Sequence, residues 1–232
     1  MTRDSSLTHE VYERLRSDLL AGRFHPGDRL RISELCNAMG VSLGAVREAL
    51  SRLTSEGLVV LEPQRGFSVA PISQRELLDL TQVRADIEGQ CLRRAIAAGD
   101  VAWEAQIVAA FHAWSKTWQA TPRDGDDEAG RTHAAFHRAL LSGCDSPWLL
   151  KLRDLLFAQS ERYRRLSKPL DGANRDLLAE HRDLMEATLA RDADRATTLL
   201  AEHFAATARI LVERQLVAAD LPAVPRRTVH PA

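Results

Sequence analysis

A mostly α fold is predicted: an N-terminal winged helix-turn-helix with a small β-hairpin, followed by a C-terminal all-α bundle of six helices. Three observations predict it. Three short helical patterns in the first third end near Gly22, Gly40 and Gly57, and two brief apolar runs around a Pro/Gly turn follow them. Ala70-Pro71-Ile72 then interrupts the pattern. Beyond that interruption apolar residues recur only at helical spacing.

Val11, Leu15 and Leu19 recur every four residues with Tyr12 beside them, so Thr8 to Ala21 reads as an amphipathic helix. Gly22 and the turn His25-Pro26-Gly27-Asp28 end it. Ser33 to Met39 forms a second, shorter helix. Gly40 permits the turn, and Ser42 stands as N-cap of a third helix, Leu43 to Glu56, which Gly57 closes. Leu58 to Leu61 and Phe67 to Ala70 flank Glu62-Pro63-Gln64-Arg65-Gly66 and read as a hairpin.

Ser73-Gln74-Arg75-Glu76 has the form of a capping box, so a helix starts there and runs through Leu80, Val83, Ile87 and Cys91 to Gly99. Trp103, Ile107, Phe111, Trp114 and Trp118 mark the next helix. Asp124 to Glu128 reads as a solvated loop. Ala129 to Ser142, a helix opening at Ser146-Pro147, Leu177 to Arg191, and Ala193 to about Val217 complete the six. The expected domains are residues 1–72, a winged helix-turn-helix, and 73–220, the bundle. Residues 221–232, with Pro222, Pro225 and Pro231, are expected to be a disordered tail.

Composition narrows the function classes. Of 232 residues, 45% are hydrophobic and 27% charged, enough apolar material for a packed core. Lys+Arg 31 against Asp+Glu 32 gives a net charge of -1, which excludes a protein that coats nucleic acid by bulk charge. The cysteines, Cys36, Cys91 and Cys144, fit neither metal spacing nor a disulfide framework. With no apolar signal core at the start and no bilayer-length apolar run, the expectation is a cytoplasmic protein with no membrane partner.

Two constellations carry chemistry. The third helix has the place of a recognition helix, which reads the major groove with residues near its N-terminus. Val46, Leu50 and Leu53 would pack inward, leaving Arg47 and Ser42 toward base edge or phosphate and Arg52 toward the backbone. Arg65-Gly66 at the hairpin tip would enter the minor groove. Residues 1–72 hold nine Arg and nine acidic residues, so the alternative is a winged helix for protein contacts with Arg47 in a surface ion pair. The second constellation is histidine. His133 and His137 share one helix face, and His181 and His203 replace apolar residues in the stripes of the last two helices. Four neutral imidazoles suit zinc, nickel or copper; the alternative is satisfied core histidines. His133-Ala-Ala-Phe-His137 lacks the Glu of a zinc protease, and no phosphate loop or nucleophile elbow appears, so no enzyme is expected. Arg84 adjoins the stripe of the first bundle helix and wants an anion, either Glu88 or a ligand carboxylate.

These residues resemble the GntR family of bacterial transcription regulators, in the FadR-type branch with a helical FCD effector domain. Leu19-Leu20-Ala21-Gly22-Arg23, Val46-Arg47-Glu48-Ala49-Leu50, Glu56-Gly57-Leu58-Val59 and Arg65-Gly66-Phe67 carry the resemblance in the first domain. Arg84 with Glu88, Phe136-His137-Arg138-Ala139-Leu140, Glu180-His181 and His203 carry it in the second. Six helices after the linker look like the VanR-type subgroup. The resemblance implies a homodimer on a short palindromic operator, a repressor released by a small carboxylate metabolite. It matches His137, His181 and His203 to metal ligands, with His133 where the family usually has Asp, zinc as the expected metal and nickel as the other. It matches Arg84 to the arginine that holds the effector carboxylate, and adds Arg31 to the DNA-facing residues. Leu43, Gly44 and Ser33 stand where the family commonly has Arg, Thr and Arg, so two of its usual contacts are missing. The alternative is a metal-dependent enzyme or metal-binding bundle with a vestigial winged helix.

Overall fold

The computed structural model describes residues 3–120, 127–167 and 175–217. In α1, Arg3–Leu20, the expected stripe of Val11, Tyr12, Leu15 and Leu19 is buried against α3. α2, Ile32–Met39, stops at Gly40, whose φ of 66° is a left-handed conformation that costs glycine nothing. α3, Leu43–Ser55, starts at Ser42, whose Oγ accepts a hydrogen bond from the Ala45 N–H at 3.3 Å. Val46, Ala49, Leu50 and Leu53 point inward and are fully buried, each leucine contributing about 2–3 kcal/mol of burial.

The wing is larger than expected by one strand. β1, Arg29–Leu30, pairs antiparallel with β3, Gly66–Val69, which pairs with β2, Val59–Glu62. The order is β1-β3-β2. Two residues are too short to show an alternating pattern. β1 is held by tertiary bonds instead, Gly27 N–H to Val69 O at 3.0 Å and Val69 N–H to Asp28 O at 2.8 Å. The hairpin turns at Gln64, φ 66°, and Gly66, φ 83°.

Among the described residues six helices follow: α4 Gln74–Ala98, α5 Val101–Ala120, α6 Asp127–Leu141, α7 Pro147–Ser167, α8 Leu177–Leu189 and α9 Ala193–Glu213. Ser73 caps α4 by accepting the Glu76 N–H at 3.1 Å, but the box is half made. The Glu76 carboxylate accepts the Tyr163 hydroxyl of α7 at 2.8 Å instead. Residues 127 and 128, expected in a loop, begin α6, where the Glu128 carboxylate favours the helix dipole; residues 124–126 and the expected tail lie outside the described residues. Pro147 starts α7, and Asp176 and Asp192 cap α8 and α9. The bundle core gathers Leu92, Ile96, Trp103, Ile107, Trp114, Phe136, Leu140, Leu184 and Leu200. A separate core around Leu15, Val46, Leu50, Leu53, Val59 and Phe67 serves the winged helix. Among the described residues no helix is long and apolar enough to cross a membrane.

Candidate functional site

Three bundle helices bring four imidazoles to one buried point. His133 and His137 come from α6, His181 from α8 and His203 from α9. The Nε2 atoms of His133, His137 and His181 form a triangle with sides of 3.0, 3.2 and 3.3 Å. The His203 ring centroid is 4.5 Å from that of His181, and one nitrogen from each of the four falls within 4.8 Å of the others. Nitrogens about 2.0–2.1 Å from one ion lie roughly 2.9–3.4 Å apart, depending on coordination. The triangle has that spacing.

The outer nitrogens agree. His181 Nδ1 donates to Leu177 O at 2.7 Å, which leaves Nε2 with its lone pair pointing inward. His203 Nδ1 donates to Glu180 Oε2 at 3.0 Å, and Arg175 grips that carboxylate with two contacts of 2.6 Å. Burial would raise the Glu180 carboxyl, but hydrogen bonds from His203 and Arg175 bring it down to about 2. Burial first, then neighbouring imidazoles and arginines, hold His133 and His137 well below the ordinary imidazole value; burial and His203 do so for His181. All are neutral, as metal ligation requires. A satisfied core histidine would have both nitrogens partnered. His133 and His137 instead have buried Nδ1 atoms with no partner among the described residues, and their Nε2 atoms meet other imidazole nitrogens. The cluster can hold a metal ion. Trp114 of α5 lies tilted against the His181 ring, centroids 4.1 Å apart, and walls one side.

A titration follows from this burial. Unfolded histidines protonate near pH 6.5, whereas the buried four resist protonation to a lower pH. Between those values the unfolded chain binds more protons, so stability is lost as pH falls. Chelator-treated protein should therefore melt at a constant temperature above pH 7 and progressively lower below 6.5. A melting temperature unchanged from pH 7 to 5 would contradict this account of the centre.

Beside the centre lies a cavity of ≈ 40 Å³, lined among others by Arg84, His133, His137, Ser160, His203 and Phe204. It has room for roughly three water-sized groups. Arg84 donates from Nε to Glu88 Oε1 at 2.7 Å and from Nη1 to Ser160 Oγ at 2.6 Å, and lies 3.8 Å over the Phe204 ring. Neither bond uses Nη2. The Glu88 pair weighed for Arg84 is formed, and the residue also lines the cavity.

A second site lies on the winged helix. Arg29, Arg31, Ser33, Arg47, Arg65 and Gly66 line a cleft of ≈ 760 Å³ between α2, α3 and the wing. Arg47 is exposed and has no ion pair among the described residues, unlike the surface pair weighed for it. Arg31 meets Glu34 at 2.9 Å and Arg65 meets Glu62 at 3.6 Å, both as exposed pairs that hold weakly. Ser42 is exposed, and its Oγ caps α3 as an acceptor, which leaves its hydroxyl proton for another partner. Arg52 is not in the cleft; its guanidinium lies 3.8 Å over the Tyr12 ring and ties α3 to α1. Arg29 was missed because the two-residue strand that aims it has no sequence signature. A neutral total thus conceals four arginines on one face.

Comparison with known proteins decides what these sites belong to. Residues 7–69 match the family described as bacterial regulatory proteins, gntR family, and residues 79–206 match the FCD domain. The uncharacterised HTH-type transcriptional regulator BphR of Paraburkholderia xenovorans is 39% identical over 201 residues, covering 85% of this chain and 82% of BphR. The chain belongs to the GntR family. The HTH-type transcriptional repressor GlaR of Escherichia coli is 37% identical to this GntR protein, covering 83% of the chain and 90% of GlaR. The fold is that of E. coli McbR/YncC, with a TM-score of 0.77, 22% identity, and coverage of 93% and 100%. This GntR protein is accordingly a DNA-binding transcription regulator with an FCD domain, and its relatives are regulators rather than metal-dependent enzymes.

Proposed function

We propose that the protein is a homodimeric repressor released from a short palindromic operator by a small carboxylate. Residues 1–72 form the DNA-binding domain and 73–220 the effector domain, with the border at Ala70-Pro71-Ile72. His133, His137, His181 and His203 hold a divalent transition metal, with zinc favoured by an all-nitrogen neutral set and nickel second. Arg84 receives the carboxylate. The observation that carries this reading is one small cavity walled by both Arg84 and the imidazoles. A bound ion there would supply a second positive anchor for the anion.

Helix α7 supports a route from cavity to DNA. Phe157 and Ser160 face the cavity. On the same stretch, Gln159 donates to the carbonyl of Glu56 at the end of α3, and Arg162 donates to the carbonyls of Ala70 and Pro71. A carboxylate that prefers a shifted α7 therefore also favours a shifted α3, which is the differential affinity that release requires. For the dimer, Trp148, Leu152 and Leu155 leave an exposed apolar stripe along α7, and Trp148 is 74% exposed. Leu78 and Val83 are also exposed on the adjoining α4.

The DNA-facing role rests on Arg47, with Arg31, Ser42, Arg65 and Gly66 around it. Fluorescence anisotropy with duplex from the promoter beside its own gene tests it. Binding should be sequence-selective and weaken with salt, and Arg47→Ala should cost about 1–3 kcal/mol, or roughly 5- to 150-fold. Equal affinity for scrambled duplex would sink the proposal.

A further inference from the structure

Leu43 is an anomaly on α3. Its helix-mates Val46, Leu50 and Leu53 are fully buried, yet Leu43 is 58% exposed. It belongs to none of the described cores. Arg47 follows one helical turn later on the same side, exposed and lining the arginine cleft. Leu43 is nearly in line with Leu50 two turns on, but at the start of α3 it overhangs the packed core and stands exposed, one turn before Arg47.

Gly44, beside it, is equally unexplained from within. Its φ is not in the left-handed region, so no turn demands glycine. A Cβ built there would meet only Ser42 Oγ, at 3.9 Å, an ordinary contact. Even in the first turn of a helix glycine offers no advantage over alanine, and no contact within the chain calls for it. What a missing Cβ does allow is close approach by something outside the chain.

We propose that Leu43 reads the 5-methyl group of an operator thymine, and that Gly44 supplies the clearance that brings it there. The inference rests on the DNA-binding reading of α3. A leucine has no donor or acceptor, so the one base feature in the major groove that it complements is the thymine methyl. Cytosine carries only hydrogen at C5, so against it the leucine loses that apolar contact. Arg47, one turn along, is placed to meet guanine N7 and O6 about one or two base pairs away. A half-site with thymine and guanine at that spacing is the expected readout.

The test uses the full-length protein and duplexes enriched by it from a random-sequence library. In an enriched duplex each thymine is replaced in turn by deoxyuridine, which removes only the methyl. One position per half-site should lose affinity by about three- to five-fold, the worth of one buried carbon. L43A should be insensitive at that position while keeping the wild-type response elsewhere. Gly44→Ala should raise the melting temperature and yet weaken the same duplex, a pair of effects that a purely structural glycine would not give. Wild-type indifference to every deoxyuridine, or L43A as sensitive as wild type, overturns the inference and leaves the DNA-binding reading standing. Failure to enrich any duplex overturns both.

Discussion

Zinc added to chelator-stripped protein should raise its melting temperature by about 8–16 °C. At a free concentration near a thousand times Kd, a ligand bound only to the folded state stabilises by about 4 kcal/mol. For a chain of this size each kcal/mol moves the midpoint by roughly 2–4 °C. The effect should be large because the ligands are already assembled. Three Nε2 atoms stand 3.0–3.3 Å apart, and two of the four rings have their outer nitrogens fixed by acceptors. Binding then spends little on ordering side chains. His181→Ala should abolish the shift, since His181 meets both α6 histidines. Elemental analysis separates lost binding from a changed fold: wild type should carry close to one metal per chain, and His181→Ala close to none. A shift of under two degrees in metal-loaded wild type would defeat the proposal that these imidazoles form a metal centre.

Much of this was legible in the chain because the signals were local. The Ser42 and Ser73 caps, the left-handed Gly40 and the inward Val46, Leu50 and Leu53 each follow from a few neighbouring residues. So does the placing of four histidines on interior stripes. What stayed hidden depends on partners far along the chain. β1 exists because Arg29 pairs with Ser68 and Leu30 with Phe67, and two residues carry no periodicity. The bonds from α7 to Glu56 and Ala70 span 103 and 92 residues, with nothing in Gln159 or Arg162 to mark their targets. Helix periodicity placed Arg84 and the four histidines, but not Arg175 and Glu180 as the pair that orients His203, nor Trp114 as a wall. Arg52 illustrates the converse: an exposed arginine on the recognition helix reads as a phosphate contact until Tyr12, 40 residues earlier, is seen beneath it.

Replacing Glu88 with glutamine should destabilise the protein by about 3–5 kcal/mol, the usual result of removing one partner from a buried charge cluster. Glu88 is fully buried between two guanidiniums. Its Oε1 accepts from Arg84 at 2.7 Å, and its Oε2 lies 3.8 Å from Nε of Arg153, which is only 2% exposed. Asp154 touches Arg153 at 3.0 Å, but that carboxylate is mostly in water and screens more than it cancels. Two buried cations thus share one buried anion, and Nε and Nη2 of Arg153 make no hydrogen bond among the described residues. Glutamine keeps the shape and removes the charge, so the two guanidiniums repel with nothing between them. Arg153→Met in the same chain should recover part of the loss by removing one of those cations, and denaturant melts of the single and double variants measure the recovery. A Glu88→Gln variant within 0.5 kcal/mol of wild type, or a double variant worse than the single one, would refute this reading. The arrangement also bears on the effector. Under the proposed function, the Arg84 guanidinium on the cavity wall, sharing Glu88 with Arg153, favours an anion there over a neutral ligand.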